Sequence, residues 1–155
     1  MDSMDEYAAF LASVRRLTGL EMLIPDETGL VTVKVEDKYI VSLQYIEPGS
    51  KILCFVEITQ LSHSAPKAVY RDLLTGGLFG QETAGGYFTL DPESETVIYN
   101  YFFDGDAAAR NPEKFVDTLE NILQLCDIWF ERISSNMAET SRALPEQYSH
   151  NSIFA

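Results

Sequence analysis

Apolar positions recur along this chain with two different periods, and each change of period marks an element. Over residues 5–18, Tyr7, Phe10, Leu11, Val14 and Leu17 fall three and four apart, which predicts a helix with one buried face. Ser3 and Asp5 provide a cap and first-turn acidity, Arg15 and Arg16 suit the negative end of the helix dipole, and Gly19 offers a left-handed stop. The period then drops to two. Residues 30–35 set Val31, Val33 and Val35 against Thr32 and Lys34, and residues 39–46 set Val41, Leu43 and Tyr45 against Ile40, Ser42 and Gln44. Residues 51–58 are apolar on both sides. The short links Glu36-Asp37-Lys38 and Pro48-Gly49 join these three strands into an antiparallel meander. A second helix is predicted over residues 66–75, capped by Ser64 and ended by Gly76-Gly77. Strands over 87–90 and 96–103 then turn through Asp91-Pro92-Glu93-Ser94.

The last helix opens at Asn111-Pro112 and is predicted to run to about Ser134. One of its stripes is Phe115, Leu119, Ile122, Cys126, Trp129 and Ile133; a second, rotated from it, is Val116, Leu123 and Phe130. Strands that are apolar on both sides predict a sheet covered on both faces, by helices or by a partner. Residues 136–155 hold no sustained period and are expected to form a flexible tail behind one folded domain, residues 1–135.

Composition changes this picture in two respects. The 155 residues include 24 Asp and Glu against 11 Lys and Arg, a net charge of -13, with the basic residues scattered. A phosphate backbone and an anionic membrane surface would both be repelled, so neither nucleic acid nor membrane insertion is expected. The charge suits a basic partner segment and keeps partly apolar surfaces from clumping. Nine Phe and eight Tyr are more rings than one small domain needs inside, so some are expected at an interface. No apolar run approaches a membrane span, and the acidic start MDSMDEY is unlike a signal peptide; a cytoplasmic protein is expected.

Candidate chemistry is sparse. His63 and His150 are the only histidines, and nothing beyond proximity joins His63 to Cys54 as a nucleophile pair. Cys54 and Cys126 sit in apolar surroundings, as small buried hydrophobes would. Asp104-Gly105-Asp106 lacks the later ligands of a calcium loop and reads as a solvated turn. Gly76-Gly77 and Gly85-Gly86 fit no phosphate-binding pattern. No metal, no cofactor and no enzymatic activity are expected.

The ordered set of Phe10, Leu11, Leu17 and Gly19, then Leu73-Leu74, Leu78-Phe79, Gly85-Gly86 and Leu90-Asp91-Pro92, then the helix from Phe115 to Trp129, resembles the class I type III secretion chaperones (the Tir chaperone, or CesT-like, family). The likeness spans residues 7–134. Where such chaperones often carry a leucine-glycine pair before the aspartate turn, this chain has Phe88-Thr89-Leu90. The resemblance implies an α+β domain of order α-β-β-β-α-β-β-α, its mainly antiparallel sheet flanked by helices. It implies a homodimer formed through the second helix and the strands after it, here Val69, Tyr70, Leu73, Leu74, Phe79 and Phe88. It also implies that the unfolded N-terminal segment of a secreted effector wraps around the dimer and is kept soluble and export-competent without ATP hydrolysis. Leu20, Leu23, Ile24, Val33, Leu43 and Tyr45 are the candidates for contacting it, although alternation alone does not say which strand face is covered. The alternative is a regulatory interaction module of the same fold unlinked to secretion, with Leu144, Tyr148, Ile153 and Phe154 as a docking peptide.

Overall fold

Ser3 opens the first helix by accepting a hydrogen bond on its side chain from the Glu6 amide, and Gly19 closes it in the left-handed conformation at φ 71°. This helix, α1 (Met4–Thr18), belongs to a computed structural model that describes residues 1–148, with side chains through Glu139. The meander follows as β1 (Leu30–Val35), β2 (Tyr39–Ile46) and β3 (Lys51–Gln60). Then come α2 (Lys67–Gly76), a 3₁₀ turn at Leu78–Gly80, β4 (Tyr87–Asp91) and β5 (Thr96–Asp104). A short helix absent from the expected order, α3 (Gly105–Arg110), precedes α4 (Pro112–Tyr148). Asp104 nucleates α3 by capping the Ala107 amide, so the Asp104-Gly105-Asp106 segment begins a helix and is no open turn. The cap expected from Ser64 is not made; Pro66 holds that position without a side-chain bond.

The five strands form one antiparallel sheet in the order β1-β2-β3-β5-β4. The register aligns Val33, Val41, Val56 and Tyr99 across the sheet, and Leu43, Cys54 and Tyr101 beside them. Side chains of this parity form the inner face, and the helices pack on it. Tyr7 of α1 stacks on Tyr45, while Phe115 of α4 meets both Phe10 and Phe103. All six residues of the first α4 stripe are buried, and Val116, Leu123 and Phe130 lie half-buried beside them. At about 25 cal/mol per Å² of apolar surface removed from water, this layer is the main source of stability.

The described helices cover the inner face only, so a sheet sealed by helices on both sides is not what forms. Helix α4 also continues past Ser134 to Tyr148. Ile133 is buried, Met137 packs on the core one turn later, and Asn136 Nδ2 donates to Asp72 Oδ2 at 3.2 Å, so helical contacts persist where the apolar period fades. Of the docking-peptide residues, Leu144 and Tyr148 fall on this helix beyond the described side chains, and Ile153 and Phe154 lie outside the described residues.

Candidate functional site

The wall that positions the exposed surface is α2, and a polar clamp to α4 holds it. Arg132 Nη2 and Nε donate to the two Asp72 carboxylate oxygens at 2.6 and 3.2 Å, a two-pronged charge-assisted pair. The same guanidinium approaches Glu82 at 3.4 Å and lies 3.9 Å over the Trp129 ring. Trp129 Nε1 donates to the Glu82 carbonyl at 2.9 Å. At Gly76 the last turn of α2 rests directly on this indole, and a Cβ there would overlap the ring.

Between α2 and edge strand β4 lies an open groove of about 450 Å³. Tyr70, Leu73, Leu74, Phe79, Phe88 and Leu90 supply most of its lining. Five of the six residues expected at a dimer interface are therefore brought together here; the sixth, Val69, is buried beneath α2. Phe88 is anchored against Trp129 at 4.6 Å and Tyr99 at 5.8 Å between centroids. Leu74 and Phe79 are almost free, at 81% and 86% exposure. Phe79 also has φ 56°, a backbone conformation that disfavours any residue with a Cβ. A mainly apolar lining, with side-chain hydroxyls from Tyr70, Tyr87 and Thr89 only, suits another apolar surface better than a small polar ligand. Leu78 and Tyr87 also line the groove, and the chain's alternation alone did not single them out. The signal for Leu78 was its place beside Phe79 directly after a glycine pair.

The residues expected to hold a guest divide differently. Leu23, Val33, Leu43 and Tyr45 are buried in the core of the single chain, Val33, Leu43 and Tyr45 on the inner face. As surface positions these four are corrected: each is 7% exposed or less, and Tyr45 carries the Tyr7 ring of α1 on it. Ile24 is 65% exposed and Leu20 half-buried. They flank Met22, 76% exposed, on the loop leading to edge strand β1. Among the described residues no strand pairs with the outer edge of β1 or of β4, so each offers free backbone donors and acceptors.

The nucleophile candidates separate in space. Cys54 and Cys126 are buried, and burial pushes both thiols up to about 12, which keeps them protonated and unreactive at neutral pH. His63 stands on an exposed loop, with Nδ1 3.9 Å from Glu95.

A grooved five-stranded sheet with two open edges fits the comparisons with known proteins. The family model of the Tir chaperone protein (CesT) family matches residues 9–129. The chain belongs to the Tir chaperone protein (CesT) family. Its fold is shared with solved structures that include a chaperone-effector complex and a type III secretion chaperone. The ExsC-ExsE complex aligns at TM-score 0.73 with 19% identity, covering 84% of this chain and 96% of that one. The HopA1-SchA chaperone-effector complex aligns at 0.62 with 17% identity over 84% and 96% of the two chains. The Yersinia pestis type III secretion chaperone SycH, bound to a fragment of YscM2, aligns at 0.56 with 17% identity over 77% and 98%. No curated protein sequence matches this CesT-family chain. Its α4 continues 19 residues (148 − 129) past the end of the family match.

Proposed function

We propose that this CesT-family protein is a homodimeric type III secretion chaperone that holds the extended N-terminal segment of an effector unfolded and export-competent. The observation that carries the reading is the uncovered apolar groove between α2 and β4, next to an otherwise sealed core. Exposed Leu74 and Phe79 on a strongly charged chain are a liability unless something covers them. A two-fold arrangement covers them economically, because each copy presents both a projecting ring and a groove.

The guest is assigned to the other edge. There the free backbone of β1 pairs with an extended segment, while Leu20, Met22 and Ile24 receive its apolar side chains. Ordering a disordered segment costs entropy, which burial of these side chains and strand pairing offset. Release needs only competition for the same contacts, so the protein works without nucleotide hydrolysis and makes or breaks no bond. No described helix is long and apolar enough to cross a membrane. The proposed work is cytoplasmic, before export.

The test is co-expression with N-terminal segments of secreted effectors from the same cell, followed by light scattering on the purified material. A dimer carrying a protease-protected segment is the expected result. A monomer that captures no segment contradicts the proposal.

A further inference from the structure

The loop between α1 and β1 turns three consecutive apolar side chains out, in and out. Met22 and Ile24 are 76% and 65% exposed, whereas Leu23 between them is 2% exposed and joins the core. Two apolar side chains held in water next to each other are unfavourable, and a loop free to move would turn them inward. Bonds within the loop set its local shape: the Leu23 amide donates to the Leu20 carbonyl at 3.2 Å, and the Ile24 amide to the Met22 carbonyl at 2.8 Å. Such bonds travel with the loop and do not fix it to the domain. Besides the Leu23 side chain, what fixes it is a bond from α1, in which Arg15 Nη1 donates to the Leu23 carbonyl at 2.8 Å.

Arg15 and Arg16 are neighbours at the same helix end, yet they do different things. Arg16 is exposed, and its Nη2 donates to Ser13 Oγ at 3.0 Å within α1. Arg15 is half-buried and leaves its helix to reach a carbonyl eight residues further along the chain. Among the described residues neither is in an ion pair. The Arg15 guanidinium is thus committed to one neutral acceptor, which belongs to the buried residue of the loop. A carbonyl in that setting is costly to leave unpaired.

We infer that Arg15 is a positioning residue of the guest site: by holding the Leu23 carbonyl, it keeps Met22 and Ile24 turned outward before the guest arrives. The inference rests on the chaperone reading, in which Leu20, Met22 and Ile24 receive the guest's apolar side chains. A surface formed in advance spares the complex the cost of ordering the loop, and apparent affinity falls with the fraction of molecules whose loop is competent. The unbranched thioether of Met22 then adapts to side chains of different shape on a backbone that stays in place. Charge acts the other way. Taking a positive charge from a chain of net charge -13 favours a basic guest, so capture lost with Arg15 is lost through position.

The test compares the full chain with Arg15→Met, which keeps the apolar stem and removes the donors, and with Arg16→Met, which removes the same charge from the same helix turn. Each is titrated with the purified N-terminal segment of a secreted effector from the same cell, and amide exchange is followed by NMR in the free and loaded states. The Leu23 and Ile24 amides of the free parent are expected to be protected already. Arg15→Met is expected to speed their exchange and weaken capture about tenfold or more, with sheet protection, self-association and circular dichroism unchanged. Saturating segment is expected to return the variant loop to the parent's protection, which a contact serving stability alone would not do. Arg16→Met is expected to bind as the parent does or slightly tighter. An equal loss of capture in Arg16→Met overturns the inference. So does a free parent whose loop amides exchange as in an unfolded chain and are protected only by the guest, a measurement that needs no variant to fold. Capture that Arg15→Met leaves intact removes this inference alone, whereas a parent chain that captures no segment removes the chaperone reading and the inference with it.

Discussion

Phe79 is held in a left-handed backbone conformation and projects its ring into water, two unfavourable conditions at one position. A left-handed conformation costs an L-residue roughly 1–2 kcal/mol, and glycine escapes that cost at the expense of greater freedom in the unfolded chain. Phe79→Gly is therefore expected to leave the isolated chain equally stable or up to about 1 kcal/mol more stable, while weakening self-association at least tenfold. Urea unfolding at low concentration and sedimentation across a concentration series read the two effects separately. A second residue-scale prediction concerns Asp127, whose carboxylate accepts hydrogen bonds from Lys38 Nζ and, at 2.6 Å, from Tyr39 Oη. Those bonds, the one from Lys38 first, hold its pKa below the usual carboxylate range. The stabilising contribution is thus present above the unfolded-state pKa of about 4 and is lost as pH falls through the lower folded value. Asp127→Asn should lower the melting temperature at pH 7 and flatten its decline between pH 4 and 3 relative to the parent protein. Parallel declines in the two proteins would show that the contact contributes nothing.

At the scale of elements, the groove depends on how α2 is set against α4. Arg132→Met removes the two-pronged contact to Asp72 and the approach to Glu82, and is expected to cost about 1–2 kcal/mol, tempered by the partial exposure of the pair. Gly76→Ala drives a methyl into the Trp129 ring and should cost about 1–3 kcal/mol. Urea denaturation measures both, and both should weaken dimer formation beyond what their stability loss alone accounts for, because each displaces the α2 wall. The elements themselves were legible in the sequence. Alternation located β1 and β2 to the residue, and spacing of three and four found the α4 face from Phe115 to Ile133. Alternation could not tell which parity faces inward. Val33, Leu43 and Tyr45 are no more apolar than Ile40, Leu53 and Phe102, and the choice is made by where Tyr7 and Phe115 arrive from distant helices. Shifting the reading by one residue exchanges core for surface. Helix α3 was missed because six residues are too few to show a period, and the end of α4 because the contacts described just beyond Ser134 include a polar bond from Asn136 and a half-buried methionine, which make no apolar period.

At the scale of the molecule, the described residues combine a sealed inner layer with apolar surfaces that none of them covers: the α2–β4 groove, the β1 edge with Met22 and Ile24, and the outer sheet face. A net charge of -13 keeps such a molecule in solution and slows like-with-like clumping, yet it does not prevent one specific, geometrically matched contact. Raising salt should therefore strengthen the dimer slightly and slow the capture of a basic guest segment, two shifts of opposite sign that stopped-flow and sedimentation can each resolve. The groove was partly legible in advance because Tyr70, Leu73, Leu74, Phe79 and Phe88 lie close together along the chain; of the residues expected to contact a guest only Leu20 and Ile24 are left accessible, because alternation does not say which strand parity the helices cover.

The most direct test is light scattering coupled to size-exclusion chromatography, on the full chain co-expressed with the N-terminal segment of a secreted effector. Two copies of the chain with a protected segment are predicted, reduced to one unloaded copy when Leu74 and Phe79 are both changed to serine. A parent chain that elutes as a monodisperse monomer, with the effector segment left unprotected, would contradict the account.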